Sequence, residues 1–326
     1  MADIYFAGGC FWGVAHFFSG VGGVLSAGSG YAQGSPGFEG RPTYEEVYTD
    51  TTGFAETVRV TYRPERISLE TLADLYFCII DPLSLNRQGH DEGTRYRTGI
   101  YYSDPSDLPV LQAAFERVSA RLGQPLAVEL EPLRNFFEAE ERHQDYLVKH
   151  PDGYCHLPSK VFKYLRLYQD LAALLGDEPD TVARMSESAA LIYERMKFFW
   201  VGFYRVGPAV SCAATAGAGG AAAGCTAAAC ATELVLGPFQ GPVACLRIGY
   251  GRGVCGTAWK EARTVVVPDV EAFPGHIACS SLSKSEIVVP VIHDGAVTAV
   301  LDIDSTAPDT FDDTDALWLE KICGLI

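Results

Sequence analysis

The chain has 326 residues, 48% hydrophobic and 20% charged, and is long enough for two globular domains with a core each. Its formal net charge of −16 argues against nucleic acid and anionic membranes as partners, because both attract clustered Lys and Arg. The sequence contains no apolar run of about 18 residues and no basic leader before an apolar stretch, so we expect a cytoplasmic protein without a membrane span. Its ten cysteines are then expected to be reduced thiols, which favours redox or metal chemistry over structural disulfides.

The first chemical signal along the chain is Cys10 in the stretch AGGCFWGVAHFF. The preceding residues predict a short strand that ends in glycines, and the following apolar residues recur at helical spacing. Cys10 is therefore predicted at a helix N-terminus, where free N–H groups and the helix dipole lower a thiol pKa. A buried core cysteine is the structural alternative, but the adjacent Phe11 and Trp12 favour a pocket for a small apolar group.

Five motifs in the first half carry a family resemblance. They are GCFWG, PTYEEV (42–47), GFAE (53–56), RQGHDEGTRYR (87–97) and GYC (153–155). Together they resemble the peptide methionine-S-sulfoxide reductase family over residues 1–160. The resemblance implies an α+β fold of the two-layer sandwich kind, ferredoxin-like, and an active site built on a cysteine.

The resemblance also implies roles for individual residues. These are the nucleophile Cys10, the methyl-pocket walls Phe11 and Trp12, the acid Glu56, the surrounding polar groups Tyr44, Asp91 and Tyr96, and the resolving Cys155. The chemistry independently requires an acid, because a sulfoxide is a poor electrophile until its oxygen is protonated. Glu56 lies in a predicted strand, and partial burial would raise its pKa; the alternative is a solvated carboxylate on the strand face.

Two features depart from the family pattern or narrow it. Phe54 stands in GFAE where the family usually has His. Cys155 is the one cysteine after the catalytic motifs in this region, so the resemblance implies that a Cys10–Cys155 disulfide is offered directly to a reductant. We expect that reductant to be thioredoxin or a similar dithiol protein.

A second domain is predicted over residues 166–326, with the boundary near 158–166. Apolar residues recur at helical spacing in YQDLAALL and ESAALIYERMKFF, and WVGFYRV is typical of a strand. The segment at about 209–231 is almost wholly Ala, Gly, Thr and Cys and is interpreted as a surface insertion. Its Cys212, Cys225 and Cys230 have no fourth ligand nearby and no C-x-x-C spacing, so we predict no metal site there.

The second half resembles the free methionine-R-sulfoxide reductases, which have a GAF-type fold with a central antiparallel sheet flanked by helices. The motifs are ACLRIGYGRGVCGTAW, FPGHIACSS, SEIVVPV and VLDIDST. The resemblance implies roles for the nucleophile Cys279, the resolving or ancillary thiols Cys245 and Cys255, the substrate carboxylates Glu286, Asp302 and Asp304, and the pocket aromatics Trp200 and Tyr204.

The strand pattern explains why the acids would share a site. EIVVPVI and AVTAVLDIDS flank HDG, which predicts a β-hairpin. Asp302 and Asp304 then project from one face of a strand, where two carboxylates repel unless a proton or a cation lies between them. A free amino acid supplies an ammonium group, whereas the alternative for Asp304 is a turn cap before STAPDTF.

The sequence thus predicts a bifunctional reductase for S-sulfoxide, free or in oxidised proteins, and for free methionine R-sulfoxide. The alternative for the second half is a non-catalytic ligand or redox sensor, which its cysteines and three acids disfavour, since a nucleotide phosphate would require basic groups. No cofactor is expected. GYGRGVCG is not interpreted as a dinucleotide fingerprint, because no helix of the required kind is predicted after it.

Overall fold

The computed structural model describes residues 1–38, 40–209, 232–277 and 280–326. The chain divides into two compact units, Met1–Leu165 and Arg166–Ile326. Both mix helices with a predominantly antiparallel sheet, which confirms the predicted α+β class. Among the described residues the longest helix has 17 residues, and none combines the length and apolarity of a membrane span.

The first unit is built on a six-stranded sheet in the order β7-β6-β1-β3-β2-β8, in which only β6 and β7 run parallel. The strands of the unit are β1 (Ala2–Gly8), β2 (Val24–Ala32), β3 (Ala55–Tyr62), β4 (Arg87–Gln88), β5 (Asp91–Glu92), β6 (Thr98–Tyr102), β7 (Glu129–Pro132) and β8 (Phe136–Glu138). Strands β4 and β5 pair with each other in a separate two-stranded sheet. Its helices are α1 (Phe11–Ser19), α2 (Tyr44–Tyr48), α3 (Leu69–Phe77), α4 (Leu108–Leu122) and α5 (Tyr146–Lys149). A further helix, α6 (Ser159–Leu175), crosses the boundary between the units.

Alternating side chains of β1 pack on the two faces of this sheet. Phe6 stacks between Phe18 of α1 and Tyr76 of α3, with ring centroids 4.6 Å and 5.0 Å away. Its neighbour Tyr5 belongs to a separate apolar cluster with Tyr101 and stacks near Phe136. Successive side chains of β1 point to opposite faces of the sheet, so Phe6 holds α1 against one face. The residue before α1 then lies next to the end of β1.

The second unit has a six-stranded antiparallel sheet in the order β11-β10-β9-β14-β13-β12. Its elements are α7 (Thr181–Met196), β9 (Trp200–Pro208), β10 (Thr232–Gln240), β11 (Arg247–Ile248), α8 (Gly253–Glu261), β12 (Val265–Val267), β13 (Ser285–His293), β14 (Ala296–Ser305) and α9 (Asp313–Cys323). Helix α8 packs on β13 and β14 through a core that includes Val254, Ala258, Val288 and Val300. The predicted insertion lies, after Ala209, outside the described residues, as do Cys212, Cys225 and Cys230.

The predicted hairpin is present as β13 and β14, joined at Asp294 and Gly295. Both turn residues have positive φ, 51° and 76°, as the two-residue hairpin turn requires. The prediction that no helix follows GYGRGVCG is wrong, because α8 begins at Gly253 within that motif. Glycines normally disfavour helix, but here a Cβ on Gly256 would lie 2.5 Å from the Gly249 carbonyl oxygen, so close backbone packing explains the residue type.

Candidate active sites

Cys10 is the N-cap of α1, as predicted. Gly9 before it has a φ of +81°, and a Cβ there would lie 2.7 Å from Gln88 Cβ, so the chain can enter the helix this way only with glycine. The thiol is 5% exposed. The glycine pair therefore presents the sulfur at the helix start, inside the protein rather than on its surface.

Glu56 from β3 is the nearest acid to this thiol. Its side chain is 2% exposed, accepts a hydrogen bond from the Phe11 N–H at 3.0 Å and contacts the Cys10 side chain. Burial raises the pKa of Glu56 to about 8, with a smaller contribution from the Asp91 charge. Glu56 is therefore largely protonated at neutral pH, which is the form a general acid needs.

The predicted low pKa of Cys10 is wrong. Burial, together with the neighbouring Glu56 charge, raises the pKa of the Cys10 thiol well above its ordinary value, although the Trp12 backbone N–H opposes this. One backbone amide and a nine-residue helix are too weak to offset loss of water around the sulfur. The free site thus holds a neutral thiol beside a neutral carboxyl.

An aromatic cluster lies over the first turn of α1. Trp12 stacks on Tyr146 with ring centroids 3.7 Å apart and donates its indole N–H to His143 Nδ1 at 3.2 Å. His143 also packs against Phe11 at 5.3 Å and Tyr44 at 4.8 Å. Both predicted walls, Phe11 and Trp12, are therefore held in fixed orientation, as a pocket for a methyl group requires.

The predicted polar groups lie around the same centre. The negative charge of Glu56 is among the causes that raise the pKa of Tyr44 to about 12 and that of Tyr96 further, after burial in both cases. Asp91 is close enough to act on Glu56 and Cys10, and its Oδ2 is buried without a hydrogen-bond partner among the described residues. Two phenols remain protonated donors that face the acid.

Cys155 lies beside the N-terminal turn of α1. A Cβ on Gly13 would lie 3.2 Å from Cys155 Sγ and 3.1 Å from His156 Nδ1, so Gly13 leaves the space that both side chains fill. Burial raises the pKa of the Cys155 thiol. The charge of Cys155 is also a cause of the raised Cys10 pKa, which indicates that the two sulfur atoms are close.

Phe54, which replaces the usual His, lies in an apolar environment. It is buried and packs edge-on against Phe38 at 5.3 Å and Phe137 at 5.8 Å. A Cβ on Gly34 would lie 2.2 Å from its ring. Phe54 thus occupies an apolar core position. An imidazole buried there without a hydrogen bond would cost free energy.

The second unit contains a small cavity of about 30 Å³ between α8 and the ends of β13 and β14. This is room for about one water molecule. The cavity is lined by Ile248, Arg252, Gly253, Val254, Cys255, His276, Ile277, Ser283, Glu286, Asp302 and Asp304. All three predicted acids therefore share one cavity.

Strand register explains this convergence. Glu286 on β13 pairs with Asp304 on β14, and Asp302 lies two residues earlier on the same face. Burial, with the neighbouring carboxyls, raises the pKa values of Glu286 and Asp302 well above the ordinary range. Burial raises the pKa of Asp304 to about 6, while Ser283 hydrogen-bonds it and lowers the pKa. Ionisation of Glu286 and Asp302 is therefore disfavoured in the cavity, and Asp304 has a pKa of about 6.

The predicted cysteines differ in position. Cys255 lines the cavity, and its sulfur is 4.0 Å from Glu286 Oε1. Cys245 packs half-buried against the neighbouring apolar core and is not part of the lining. Cys279 lies outside the described residues, although Ile277 and Ser283, which lie on either side of it in the sequence, line the cavity.

Trp200 and Tyr204 lie behind the cavity rather than in its lining. Both belong to the core cluster that also contains Cys255, and their rings are 6.1 Å apart. The Trp200 indole N–H donates to the Pro242 carbonyl at 3.0 Å. In this structure they form the apolar layer on which α8 and the cavity rest.

Comparison with known proteins identifies the first unit. Residues 2–171, just over half the chain, match the family model described as peptide methionine sulfoxide reductase. Peptide methionine sulfoxide reductase MsrA of Clostridium acetobutylicum is 48% identical over 163 residues, which are 50% of this chain and 99% of that protein. The chain belongs to the peptide methionine sulfoxide reductase family.

The second unit of this family member matches another model. Residues 177–326 match the GAF domain model. A solved structure of free methionine-R-sulfoxide reductase from Neisseria meningitidis, with substrate, is 44% identical, covers 50% of this chain and 84% of its own, and gives a TM-score of 0.42. Apart from the GAF match, the chain is similar to a solved structure of Mxr1 from Saccharomyces cerevisiae in reduced form, which is 37% identical, covers 47% of this chain and 89% of its own, and gives a TM-score of 0.44.

Sequence reasoning missed several residues of the reductase sites. His143, Tyr146 and Arg95 surround Cys10 and Glu56, and His276 lies at the acid cavity with Nε2 3.7 Å from Glu286 Oε2. Each is an isolated residue in a loop, a single turn of 3-10 helix or a four-residue helix, with no periodic pattern around it. Arg95 is the exception, because it lies within the family motif RQGHDEGTRYR. That motif is the signal from which it could have been located.

Proposed function

We propose that the chain is a bifunctional methionine sulfoxide reductase. The N-terminal unit reduces free and peptide-bound methionine S-sulfoxide, and the C-terminal unit reduces free methionine R-sulfoxide. The contact between the buried Cys10 thiol and the protonated Glu56 carboxyl carries the first assignment. The three-acid cavity beside Cys255 supports the second.

In the N-terminal site the sulfoxide methyl group lies against Phe11 and Trp12, and its oxygen faces Glu56. Glu56 gives its proton to the oxygen as the Cys10 sulfur attacks the sulfoxide sulfur, and it receives the thiol proton in return. The products are methionine and a sulfenic acid on Cys10, so one oxygen atom moves and Glu56 ends protonated. A neutral thiol is compatible with this route because the acid relays its proton.

Regeneration uses the second thiol of the N-terminal unit. Cys155 attacks the Cys10 sulfenic acid, a disulfide forms and water leaves. Gly13 supports this step by leaving room for Cys155 over the helix start. We propose that thioredoxin or a similar dithiol protein then reduces this disulfide by thiol–disulfide exchange. Cys10 and Cys155 return to thiols, and the two thiols of the reductant become a disulfide.

In the C-terminal site the protonation states suggest a division of labour. Asp304, with a pKa of about 6, is ionised at neutral pH and can bind the α-ammonium group of a free amino acid. Burial and neighbouring carboxyls raise the pKa values of Asp302 and Glu286, which favours the protonated form that can donate to the sulfoxide oxygen. Cys279 is the proposed nucleophile, and an enclosed site that binds the ammonium group excludes methionine inside a peptide.

Product analysis with the four separated substrates tests the proposal. The wild-type chain with a dithiol should consume free S-sulfoxide, peptide S-sulfoxide and free R-sulfoxide, and leave peptide R-sulfoxide intact. Persistence of free R-sulfoxide with normal S-sulfoxide turnover would favour a non-catalytic GAF domain. Consumption of peptide R-sulfoxide would contradict the enclosed ammonium site.

A further inference from the structure

The acid cavity combines a thiol with oxygen and nitrogen donors from separate elements. Cys255 of α8, Glu286 of β13 and Asp302 of β14 each offer one ligand atom, and these atoms lie within 4.8 Å of one another. The imidazole of His276 is at the same edge, with Nε2 3.7 Å from the Glu286 carboxyl. The set therefore contains sulfur, two carboxyls and an imidazole.

One carboxyl oxygen of this set has no hydrogen-bond partner among the described residues. Asp302 is 7% exposed and lines the cavity, and its Oδ1 has no hydrogen bond to any described residue. Buried polar oxygens are nearly always bonded, so an orphaned carboxyl oxygen that faces a cavity indicates a ligand. Arg252 and His276 also line the cavity, but no basic side chain is among the causes that set the pKa of Glu286 or Asp302.

The donor types select the kind of cation. Thiolate and imidazole ligands favour Zn²⁺ and similar thiophilic ions over Mg²⁺ and Ca²⁺, which prefer oxygen. Zn–O and Zn–S bonds of about 2.0–2.3 Å place tetrahedral ligands about 3.3–3.8 Å apart. The observed spread is larger by roughly 1 Å, a difference that side-chain rotation can close.

We propose that this cavity binds a thiophilic divalent cation, represented by Zn²⁺, through Cys255, Glu286 and Asp302, with His276 as a fourth donor. Binding forms a Zn–S bond and Zn–O bonds to the two carboxylates, and it releases the protons of Cys255, Glu286 and Asp302 to the solvent. The ion occupies Glu286 and Asp302, the carboxyls that would donate a proton to the sulfoxide oxygen, so it inhibits free R-sulfoxide reduction. This last consequence rests on the proposed function, whereas the binding itself does not.

The test is equilibrium dialysis of the reduced full-length chain against buffered Zn²⁺, with the bound metal measured directly. All proteins compared carry Cys212→Ser, Cys225→Ser and Cys230→Ser, so that the insertion cannot contribute ligands. In that background one tight equivalent is expected, and Cys255→Ser and Asp302→Asn should each weaken it at least about 100-fold, the upper range for loss of an outer-shell partner. Asp294→Asn, a substitution at an exposed turn residue with positive φ, is the matched control and should bind as the parent does.

The outcomes separate the two claims. Unchanged Zn²⁺ binding in Cys255→Ser and Asp302→Asn, or no tight equivalent in the folded parent, would overturn the cation site. Thermal unfolding of each variant identifies any loss of binding that comes from misfolding, and in that case Glu286→Gln replaces the variant. In a Cys279→Ser background, which cannot turn the substrate over, free methionine R-sulfoxide should raise the apparent Zn²⁺ dissociation constant in proportion to its concentration. Binding without such competition would support the cation site and contradict the proposed substrate position.

Discussion

Glu56 is the residue whose environment most directly sets the chemistry of the N-terminal site. An exposed glutamate would be ionised at neutral pH, but this one is buried and has a pKa of about 8. Burial of Cys10 beside it, followed by the Glu56 charge, raises the pKa of the Cys10 thiol. The thiol and the acid therefore form one proton-sharing pair, and substitutions at either position are expected to be strongly non-additive.

The pH dependence of S-sulfoxide reduction follows from this pKa. We expect kcat/KM for a peptide S-sulfoxide to fall as pH rises through about 8, because Glu56 loses the proton that it must donate. Glu56→Gln should lower kcat/KM by about 10²–10⁴-fold below pH about 8, the range for loss of general acid catalysis, and the difference from wild type should shrink at higher pH. A pH–rate profile measures both, and a wild-type profile still rising above pH about 9 would contradict the assignment.

Stability provides a second readout of the same group. A carboxyl whose pKa is raised on folding stabilises the protein below its unfolded pKa, and that contribution disappears as pH rises through the folded value. The free energy of unfolding of the wild type should therefore decrease between pH 4.5 and about 8 relative to Glu56→Gln. Urea unfolding at several pH values measures the difference.

The paired acids of the second site affect stability in the same direction as Glu56. Burial raises the pKa values of Asp302 and Asp304, and the Asp304 charge adds to the shift at Asp302, so the stability contributed by the protonated forms is lost as pH rises. We expect Asp302→Asn or Asp304→Asn to preserve or raise Tm while lowering free R-sulfoxide reduction by about 10²-fold. If Asp304 instead caps a turn, Asp304→Ala would keep full activity and lose about 1 kcal/mol of stability.

At the scale of elements, the start of α1 organises both thiols of the first unit. Gly9 allows the sharp entry that presents Cys10, and Gly13 leaves the space occupied by Cys155 and His156. Helix α1 is itself fixed through Phe18 on Phe6 of β1. The GCFWG motif therefore specifies two functions, presentation of the nucleophile and access for the resolving thiol.

Gly13→Ala tests the second function. The new Cβ would lie 3.2 Å from Cys155 Sγ, tighter than an ordinary contact, so Cys155 must shift. Turnover with thioredoxin should fall about 10-fold, within the range for a misplaced reacting group, while the first turnover stays intact. The helix should not weaken, because Ala has higher helix propensity than Gly. Gly28→Ala on β2, where the added Cβ has one neighbour at 3.9 Å, is the control, and equal turnover in both variants would contradict the steric argument.

Cys155→Ser removes the resolving thiol entirely. We expect about one turnover per N-terminal site with thioredoxin as reductant, and accumulation of a Cys10 sulfenic acid. A small dithiol should still support the variant, because it can attack the sulfenic acid directly. Rapid-quench product analysis with a sulfenic-acid probe checks this, and sustained turnover with thioredoxin would mean that another thiol resolves Cys10.

Local patterns predicted the elements that they determine alone. The β13–β14 hairpin follows from alternating apolar residues around Asp294 and Gly295, and α1 follows from apolar residues at helical spacing after Cys10. Helix α8 was not predicted because glycines such as Gly253 and Gly256 normally disfavour a helix. These positions are glycine because other parts of the chain pack closely against them, which the local pattern does not show. The Cys10 pKa was wrong for a related cause, since burial depends on the whole fold whereas the helix N-terminus is a local feature.

At the scale of the whole molecule, each compact unit contains its own thiol and its own raised-pKa carboxyl. Oxidation of methionine produces two sulfoxide epimers, and one enzyme site reduces each. The two sites use different recognition: an aromatic cluster in the first unit and an acid cavity in the second. A chain with both activities thus follows from two separate chemistries, and each should survive the loss of the other.

The independence of the two nucleophiles is tested most directly by assaying Cys10→Ser and Cys279→Ser on separated S and R epimers of free methionine sulfoxide. A small dithiol serves as the reductant in both assays. Cys10→Ser should lose S-sulfoxide reduction and retain wild-type R-sulfoxide reduction, and Cys279→Ser should show the converse. Persistent S-sulfoxide activity in Cys10→Ser, or loss of both activities in either folded variant, would contradict two separate reductase sites in one chain.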